Sequence, residues 1–259
     1  MNNEQALGKI CQKLNLLLGI QSVDLYGLKV ENDKIVAQFG EWHLESRFFP
    51  VIELKSLKQK AVEARLIIKG PHQRLIDEQI IFAVESNPKR IILLDRMIRA
   101  LHTSNFAIQY EADPFSLDLQ GKHMESLDEL HGVFQHQLMD YWSLPAELLT
   151  LKIVHHNACS PERLQKAIDN YRQRGYRLGL KLDKPGVTDC LHMWTFGPDQ
   201  IQLPDRFSSR MLVEEPLKKG FRALVQACHE VTNTLTLADV HNEVQRKIAF
   251  DAGVDWVMS

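Results

Sequence analysis

One segment places a carboxylate in the middle of residues that otherwise suit a buried strand. In KAVEARLIIKG, residues 60–70, Ala61, Ala64 and the LII run are apolar, but Glu63 lies among them. An unpaired charge is strongly unfavourable inside a protein, so Glu63 needs a metal ion, an ion partner or access to water. The sequence leaves these three alternatives open at this point.

Residues at the ends of other predicted strands could also carry chemistry. His155 and His156 are adjacent in HHNAC, so on a strand they would point to opposite faces and could not easily share one metal ion. Asp239 and His241 follow a strand in ADVH. Cys159 precedes a helix, a position that can lower a thiol pKa, but no base lies near it in sequence. We therefore predict a structural role for this cysteine.

The composition is that of an ordinary globular protein. The chain has 259 residues, of which 44% are hydrophobic and 25% charged, enough for one large α/β domain or two smaller ones. A net charge of −2 gives no general attraction to nucleic acid, and no apolar run is long enough for membrane insertion. The four cysteines form no C-x-x-C pair, and the N-terminus lacks the pattern of a signal peptide. We predict a cytoplasmic protein that makes no direct contact with nucleic acid.

The second half of the sequence alternates between strands and helices. Such alternation predicts parallel strands joined by right-handed crossovers, in either a closed (β/α)8 barrel or an open doubly wound sheet. Strands are predicted over 148–154, 176–182, 199–203, 234–239 and 254–258, and helices over 159–175, 215–231 and 242–253.

The first half is less regular. An apolar helical face ending at Gly19 and two alternating strands around the turn ENDK predict a helix plus a hairpin over residues 1–42. The segment 113–126 shows no clear pattern. Helices are predicted over 75–86, 90–104 and 127–142, and a strand over 105–112.

Taken in order, these segments resemble the EAL domains, bacterial phosphodiesterases that hydrolyse cyclic di-GMP on a TIM-like barrel. FFPVIEL is similar to the first strand of the family, and VEARLIIK to the signature V-E-A-L-L-R-W. Further similar segments are DEQIIFAVES, LLDRMIRAL, LTLKIVHH, RLGLKLDKPG, IQLPDRF, LADVHNEVQ and AGVDWVM. The resemblance implies a TIM-like (β/α)8 barrel of the EAL type over residues 43–259, preceded by the extension of residues 1–42.

The resemblance also assigns a role to Glu63, which occupies the place of a metal-binding glutamate at the barrel mouth. Most of the other ligand positions differ in this chain. Gln109 stands for an asparagine, Lys152 for a glutamate, Lys181 and Leu182 for two aspartates, Gln202 for the catalytic lysine and Ala238 for a glutamate. We therefore predict a degenerate, inactive member without metal or other cofactor. Glu63 is then a vestigial ligand that pairs with Lys152 or Lys181.

The family positions that contact the nucleotide have also changed. Ile67 stands for an arginine and Phe49 for a glutamine, so we predict that cyclic di-GMP is not bound. The family ordinarily continues past the last strand into a closing helix. We expect the apolar N-terminal helix to fill that place against the barrel.

The function that follows is regulation by protein–protein interaction, in motility, biofilm formation or transcription. The partner is another protein, and a homodimer is possible. Candidate contact residues are Trp142, Trp194, Met193 and Phe196. One alternative is a hydrolase with a rebuilt site that uses Glu63, His155, Asp183, Asp239 or His241. A second alternative is a non-catalytic sensor of cyclic di-GMP.

Overall fold

The computed structural model describes residues 3–110, 113–127, 131–154, 156–182, 193–204 and 215–258. In this part of the chain eleven strands form one sheet, and eight of them close into a barrel. The barrel strands are β3 (Trp42–Glu53), β4 (Gln59–Lys69), β6 (Phe115–Gln120), β7 (Leu149–Val154), β8 (Arg177–Lys181), β9 (Gln200–Leu203), β10 (Leu235–Leu237) and β11 (Trp256–Met258). The predicted TIM-like barrel is confirmed.

The barrel closes through a strand that runs against the others. Strand β3 pairs antiparallel with β11, with Trp256 opposite Glu53, and antiparallel with β4. All the other barrel pairs are parallel. The reason is local, because β3 and β4 are joined by a tight hairpin over 54–58, too short for the crossover that parallel strands need.

The remaining elements lie outside the barrel wall. Strands β1 (Tyr26–Glu31) and β2 (Lys34–Phe39) form the predicted hairpin, and β5 (Leu75–Ile76) pairs with the end of β4. The helices are α1 (Asn3–Leu17), α2 (Glu78–Val84), α3 (Pro88–Gln109), α4 (Gly121–Ser126), α5 (Val133–Tyr141), α6 (Pro161–Gln173), α7 (Glu215–His229) and α8 (Glu243–Ala252). None of the described helices is long and apolar enough to span a membrane.

Side-chain caps place several of these helix starts. Asn87 accepts hydrogen bonds from the first backbone N–H groups of α3, and Asp77 does the same for α2. Asn242 and Gln245 form a reciprocal capping box at the start of α8. Each cap satisfies N–H groups that the helix itself leaves unpaired.

The first half of the chain departs from prediction at three places, the first being the helix predicted over 127–142, which begins only at Val133 as α5. The strand predicted over 105–112 is wrong, because residues 105–109 are the last turns of α3; the strand lies instead at 115–120, where the sequence showed no clear pattern. The helix predicted over 75–86 is shorter, because Leu75 and Ile76 form β5 and α2 begins at Glu78.

The main hydrophobic core is formed by the barrel strands and the helices that surround them. A second hydrophobic core forms between the hairpin side of the sheet and helices α1, α2, α3 and α5. Helix α1 is tied to β1 by Asn15, whose side chain donates to Leu28 O at 2.9 Å and accepts from Leu28 N at 2.8 Å. No described residue of β11 belongs to this core. The expectation that α1 closes the barrel beside the last strand is therefore wrong. The apolar face of α1 is buried on the hairpin instead.

Buried histidines make the fold sensitive to acid. Burial lowers the pKa of His102 to about 3, and of His123 to about 3, while that of His131 is lowered to about 4. The unfolded chain takes up these protons near pH 6.5, so stability is full above that pH and falls as the pH decreases toward 3–4. At pH 5 each such histidine costs about 2 kcal/mol of unfolding free energy.

We expect urea unfolding to show a marked loss of stability between pH 7 and pH 5. Replacing His102→Gln, which can still bond to Ser46 Oγ (2.7 Å from His102 Nδ1), should reduce this pH dependence by about 2 kcal/mol. The matched control is His136→Gln, at an exposed position of α5. Equal pH dependence in the two variants would contradict the assignment.

Candidate functional site

Glu63 has an ion partner inside the barrel. It lies midway along β4 and is completely buried, deeper than the open strand end that the sequence suggested. The Lys152 ammonium on β7, also buried, donates to Glu63 Oε2. Gln202 on β9 bridges the pair, donating to Glu63 Oε1 at 3.3 Å and accepting from Lys152 Nζ at 2.6 Å. Of the two partners left open by the sequence, Lys152 makes the direct contact.

The barrel wall brings these three residues together because alternate residues of each strand point inward. Room for the Lys152 side chain comes from Gly179 on the neighbouring strand β8. A Cβ at position 179 would lie 3.0 Å from Lys152 Cγ. A side chain there would therefore crowd the lysine, which would have to shift by a few tenths of an ångström.

A second layer of ion pairs lies above Glu63. Lys181 donates to Asp118 Oδ2 at 2.9 Å, and its Nζ lies 4.0 Å from Glu63 Oε1. Arg65 Nε is 3.4 Å from Glu63 Oε1, and Arg65 Nη1 is 3.0 Å from Asp239 Oδ1. With the buried pair below, three carboxylates face three cations, so this cluster is charge-balanced without a bound ion.

The charges of this cluster also shift the pKa values of Glu63 and Lys181. Burial alone would raise the pKa of Glu63, but Lys152, and then Lys181 and Arg65, lower it to about 2. Burial would lower the pKa of Lys181, but Asp118 and Glu63 raise it above its ordinary value. The Glu63 carboxylate and the Lys181 ammonium are therefore both charged at neutral pH.

A cavity of about 340 Å³ opens above this cluster at the barrel mouth. Its described lining contains the carboxylates of Asp77, Glu78, Asp118 and Asp239 and the cations of Arg65 and Lys181. Ala238, which the resemblance places at a glutamate of the family, offers no side-chain carboxylate to this cavity.

The structure corrects one ligand position. Gln109, matched to the family asparagine, is the last residue of α3 and lies on no strand. Asp118 on β6 is the residue that faces the mouth beside Lys181. The alternating polar and apolar residues of FSLDLQ were the signal in the sequence that could have identified this strand.

The residues considered for a rebuilt site do not gather around Glu63 in the described structure. Asp239 reaches it only through Arg65. His241 is exposed and is not among the residues that line the mouth cavity. His155 and Asp183 lie outside the described residues. Cys159 is buried, and burial, reinforced by Glu125, raises its pKa to about 12, so it is not an activated thiol.

The candidate contact residues differ in exposure. Trp194 is exposed. Trp142 is half-buried, and its Nε1 donates to Ser104 Oγ at 3.1 Å. Met193 and Phe196 are buried in the main core, so their assignment as exposed anchors is wrong.

The fold and the inward-facing cluster define an α/β-barrel protein whose first strand is antiparallel to its neighbours. Its sequence matches the profile of the EAL domain over residues 33–258. The chain belongs to the EAL domain family, a family of cyclic di-GMP signalling. The match begins at Asp33, in the hairpin turn just before β2, so it includes the second strand of the hairpin. The division into an extension of residues 1–42 and a barrel of residues 43–259 stays a prediction.

Solved structures share the fold at low sequence identity. The EAL enzyme Bd1971, with cAMP and cyclic di-GMP bound, has a TM-score of 0.74 at 13% identity, covering 83% of this chain and 60% of its own. The PaMucR phosphodiesterase in complex with cyclic di-GMP has a TM-score of 0.71 at 13% identity, covering 83% of this chain and 89% of its own. A standalone EAL protein from Vibrio cholerae O395, with cyclic di-GMP bound, has a TM-score of 0.66 at 11% identity, covering 83% of this chain and 89% of its own.

The chain thus spans about 60% of the length of Bd1971. At these identities the likeness shows the fold alone. The comparison with curated proteins gives no significant match.

Proposed function

We propose that this protein is a catalytically inactive EAL domain that regulates by binding another protein, and that it neither hydrolyses nor binds cyclic di-GMP. The observation that supports this most directly is the buried Lys152 ammonium on the Glu63 carboxylate. In an active EAL domain, as the resemblance implies, this carboxylate would hold a divalent cation that activates water.

The described donor set does not fit such cations. Mg²⁺ and Mn²⁺ need several oxygen ligands, and the oxygens of Glu63 already accept from Lys152, Gln202 and Arg65. Two ammonium groups stand within 4.0 Å of that carboxylate. At an effective dielectric of 20, two unit positive charges ~4 Å apart repel each other by roughly 4 kcal/mol. The repulsion between one ammonium group and a divalent cation at that distance is about twice as large. Within the described residues, no group of three or more His, Cys, Asp or Glu could hold a metal ion.

The charge of the mouth argues against a nucleotide as well. Four carboxylates and two cations are found in its described lining, and both cations are already paired. Cyclic di-GMP carries two phosphates and would meet an excess of negative charge. Phe49, at the position of the family glutamine, presents a phenyl ring beneath the guanidinium groups of Arg47 and Arg65 and offers no amide.

A hydrolase with a rebuilt site finds no support in the geometry of the described residues, which do not include His155 and Asp183. Such an enzyme needs a group that accepts a proton at neutral pH. The raised pKa of Lys181 keeps it charged, and the lowered pKa of Glu63 makes it a weak base. We therefore assign the protein a contact-based role in the control of motility, biofilm formation or transcription.

Ligand titrations test this proposal. We expect no turnover of cyclic di-GMP with Mg²⁺ or Mn²⁺, and no rise in melting temperature as metal or nucleotide is added. A ligand at 100 times its Kd would add about 2.7 kcal/mol, which a thermal-shift series detects readily. An active EAL phosphodiesterase in the same buffers is the positive control. Turnover, or saturable stabilisation by metal or nucleotide, would overturn the proposal.

A further inference from the structure

Within the part of the chain that the structure describes, strand β3 has an edge segment without a paired neighbour in the middle of the sheet. It pairs with β2 only through Trp42–Leu44 and with β11 only through Val51–Glu53. Among the described strands, residues 45–50 are paired on the β4 side alone. We call this six-residue gap between β2 and β11 the β3 notch.

The direction of the main-chain groups in the notch follows from strand alternation. Leu54 N donates to Asp255 O at the start of β11, and Glu53 N donates to Lys58 O on the hairpin side. The β-bulge on this pair has its extra residue on β4, so the alternation along β3 is not interrupted. Even-numbered residues therefore direct their N–H and C=O groups away from β4. In the notch these are Ser46, Phe48 and Pro50, the last without an N–H.

The notch is accompanied by a cleft. Beyond the pair Ala37 and Leu44, β2 and β3 diverge and leave a cavity of about 320 Å³. On its β2 side, the Asn105 side chain accepts from Ile35 N at 3.2 Å and donates to Ile35 O at 2.7 Å. A single amide thus makes the two bonds that a neighbouring strand would make to this residue of β2. On β3, by contrast, no described strand makes such main-chain bonds to Ser46 and Phe48 on this edge.

One side chain beside the notch, that of Arg47, favours an anion. The carboxylates at the cleft end, Glu31 and Glu45, are already paired with Lys29 and Lys69 respectively. Arg47 is exposed, and its guanidinium lies 5.1 Å from the centroid of the Phe49 ring. Directly opposite it on β4 is Arg65, a like charge already paired with Asp239. In the described structure no carboxylate pairs with Arg47. An exposed guanidinium on an aromatic ring is the type of residue that binds carboxylates at protein interfaces.

We propose that the β3 notch binds an extended segment of the protein partner. The segment pairs with the main chain of Ser46 and Phe48, and it places a carboxylate against Arg47. Pairing of an added strand with a free sheet edge supplies affinity, and the charged side chain supplies specificity. This inference rests on the proposed function, because it names the surface and the partner chemistry of a protein that acts by contact.

The test uses a defined probe and a matched variant. A fluorescein-labelled eight-residue peptide of alternating glutamate and valine is titrated with the protein, and binding is followed by anisotropy. We expect Arg47→Glu to weaken binding at least tenfold, because it replaces an attraction by a repulsion. The control Arg222→Glu, at an exposed position of α7, should leave binding unchanged. The same peptide with N-methylated amides should not bind.

Hydrogen exchange supplies the second readout. Binding should slow exchange in residues 45–50 of the wild-type protein and leave the surface of α7 unchanged. Absence of peptide binding, equal binding by Arg47→Glu, or protection confined to other residues would each overturn the assignment of the notch. These outcomes are separate from those of the ligand titrations, since turnover of cyclic di-GMP would count against the proposed function whatever the peptide does.

Discussion

Replacing Lys152→Met should lower the free energy of unfolding by about 3–5 kcal/mol, the range found when one partner of a buried ion pair is removed. The substitution leaves the Glu63 carboxylate buried without its direct counter-ion. Lys181 and Arg65 compensate only in part, because they lie 4.0 and 3.4 Å away and each also serves another carboxylate. For a chain of this size the melting temperature should fall by roughly 10 °C. Urea unfolding measured at pH 7 checks the value.

Two further variants separate the buried pair from a general effect of losing a lysine. Lys247→Met removes one partner of the exposed i,i+4 pair with Asp251 (3.1 Å) and should cost no more than about 0.5 kcal/mol. The double variant Lys152→Met with Glu63→Leu replaces the buried pair by apolar side chains and should regain most of the lost stability. A double variant as unstable as Lys152→Met alone would show that the loss comes from packing, not from the unpaired charge.

The double substitution Lys152→Glu with Lys181→Asp should convert the barrel mouth into a divalent-cation site. It removes both ammonium groups and adds two carboxylates beside Glu63 and Asp118, which together provide the oxygen-rich set that Mn²⁺ and Mg²⁺ prefer. Without metal, the clustered negative charges should make this variant much less stable than the wild-type protein. With metal at 100 times its Kd, about 2.7 kcal/mol of stability should return.

Melting temperatures measured with increasing Mn²⁺ test this result without any need for activity. The wild-type protein should show no dependence on Mn²⁺. Lys247→Glu, which adds negative charge at an exposed position of α8, controls for non-specific binding. If the double variant folds and remains indifferent to Mn²⁺, the two ammonium groups are not what excludes the cation. If it does not fold without metal, recovery of cooperative unfolding in Mn²⁺ becomes the readout.

Several features of this protein follow from sequence alone. The alternation of strands and helices in the second half predicts the barrel, because each of these elements carries its own periodicity and its own start and stop signals. The hairpin of residues 26–39 is equally local, since Asn32 and Asp33 both adopt the left-handed conformation that such a turn requires. A lone carboxylate on an apolar strand indicates that a buried partner exists. The lysines at ligand positions indicate the type of partner.

Tertiary structure alone decided the rest. Helix α3 extends to Gln109, and the Asn105 amide ties its last turns to β2 through a contact seventy residues distant in sequence. Such a contact is invisible to local patterns, which predicted a strand at this place. The position of α1 depends on which apolar surface of the folded sheet remains exposed for the helix to pack on. No local sequence pattern reveals that surface. The choice of Lys152 over Lys181 as the direct partner of Glu63 depends on barrel stagger and on the space at Gly179. Periodicity specifies elements, whereas distances between charges are set only when the barrel closes.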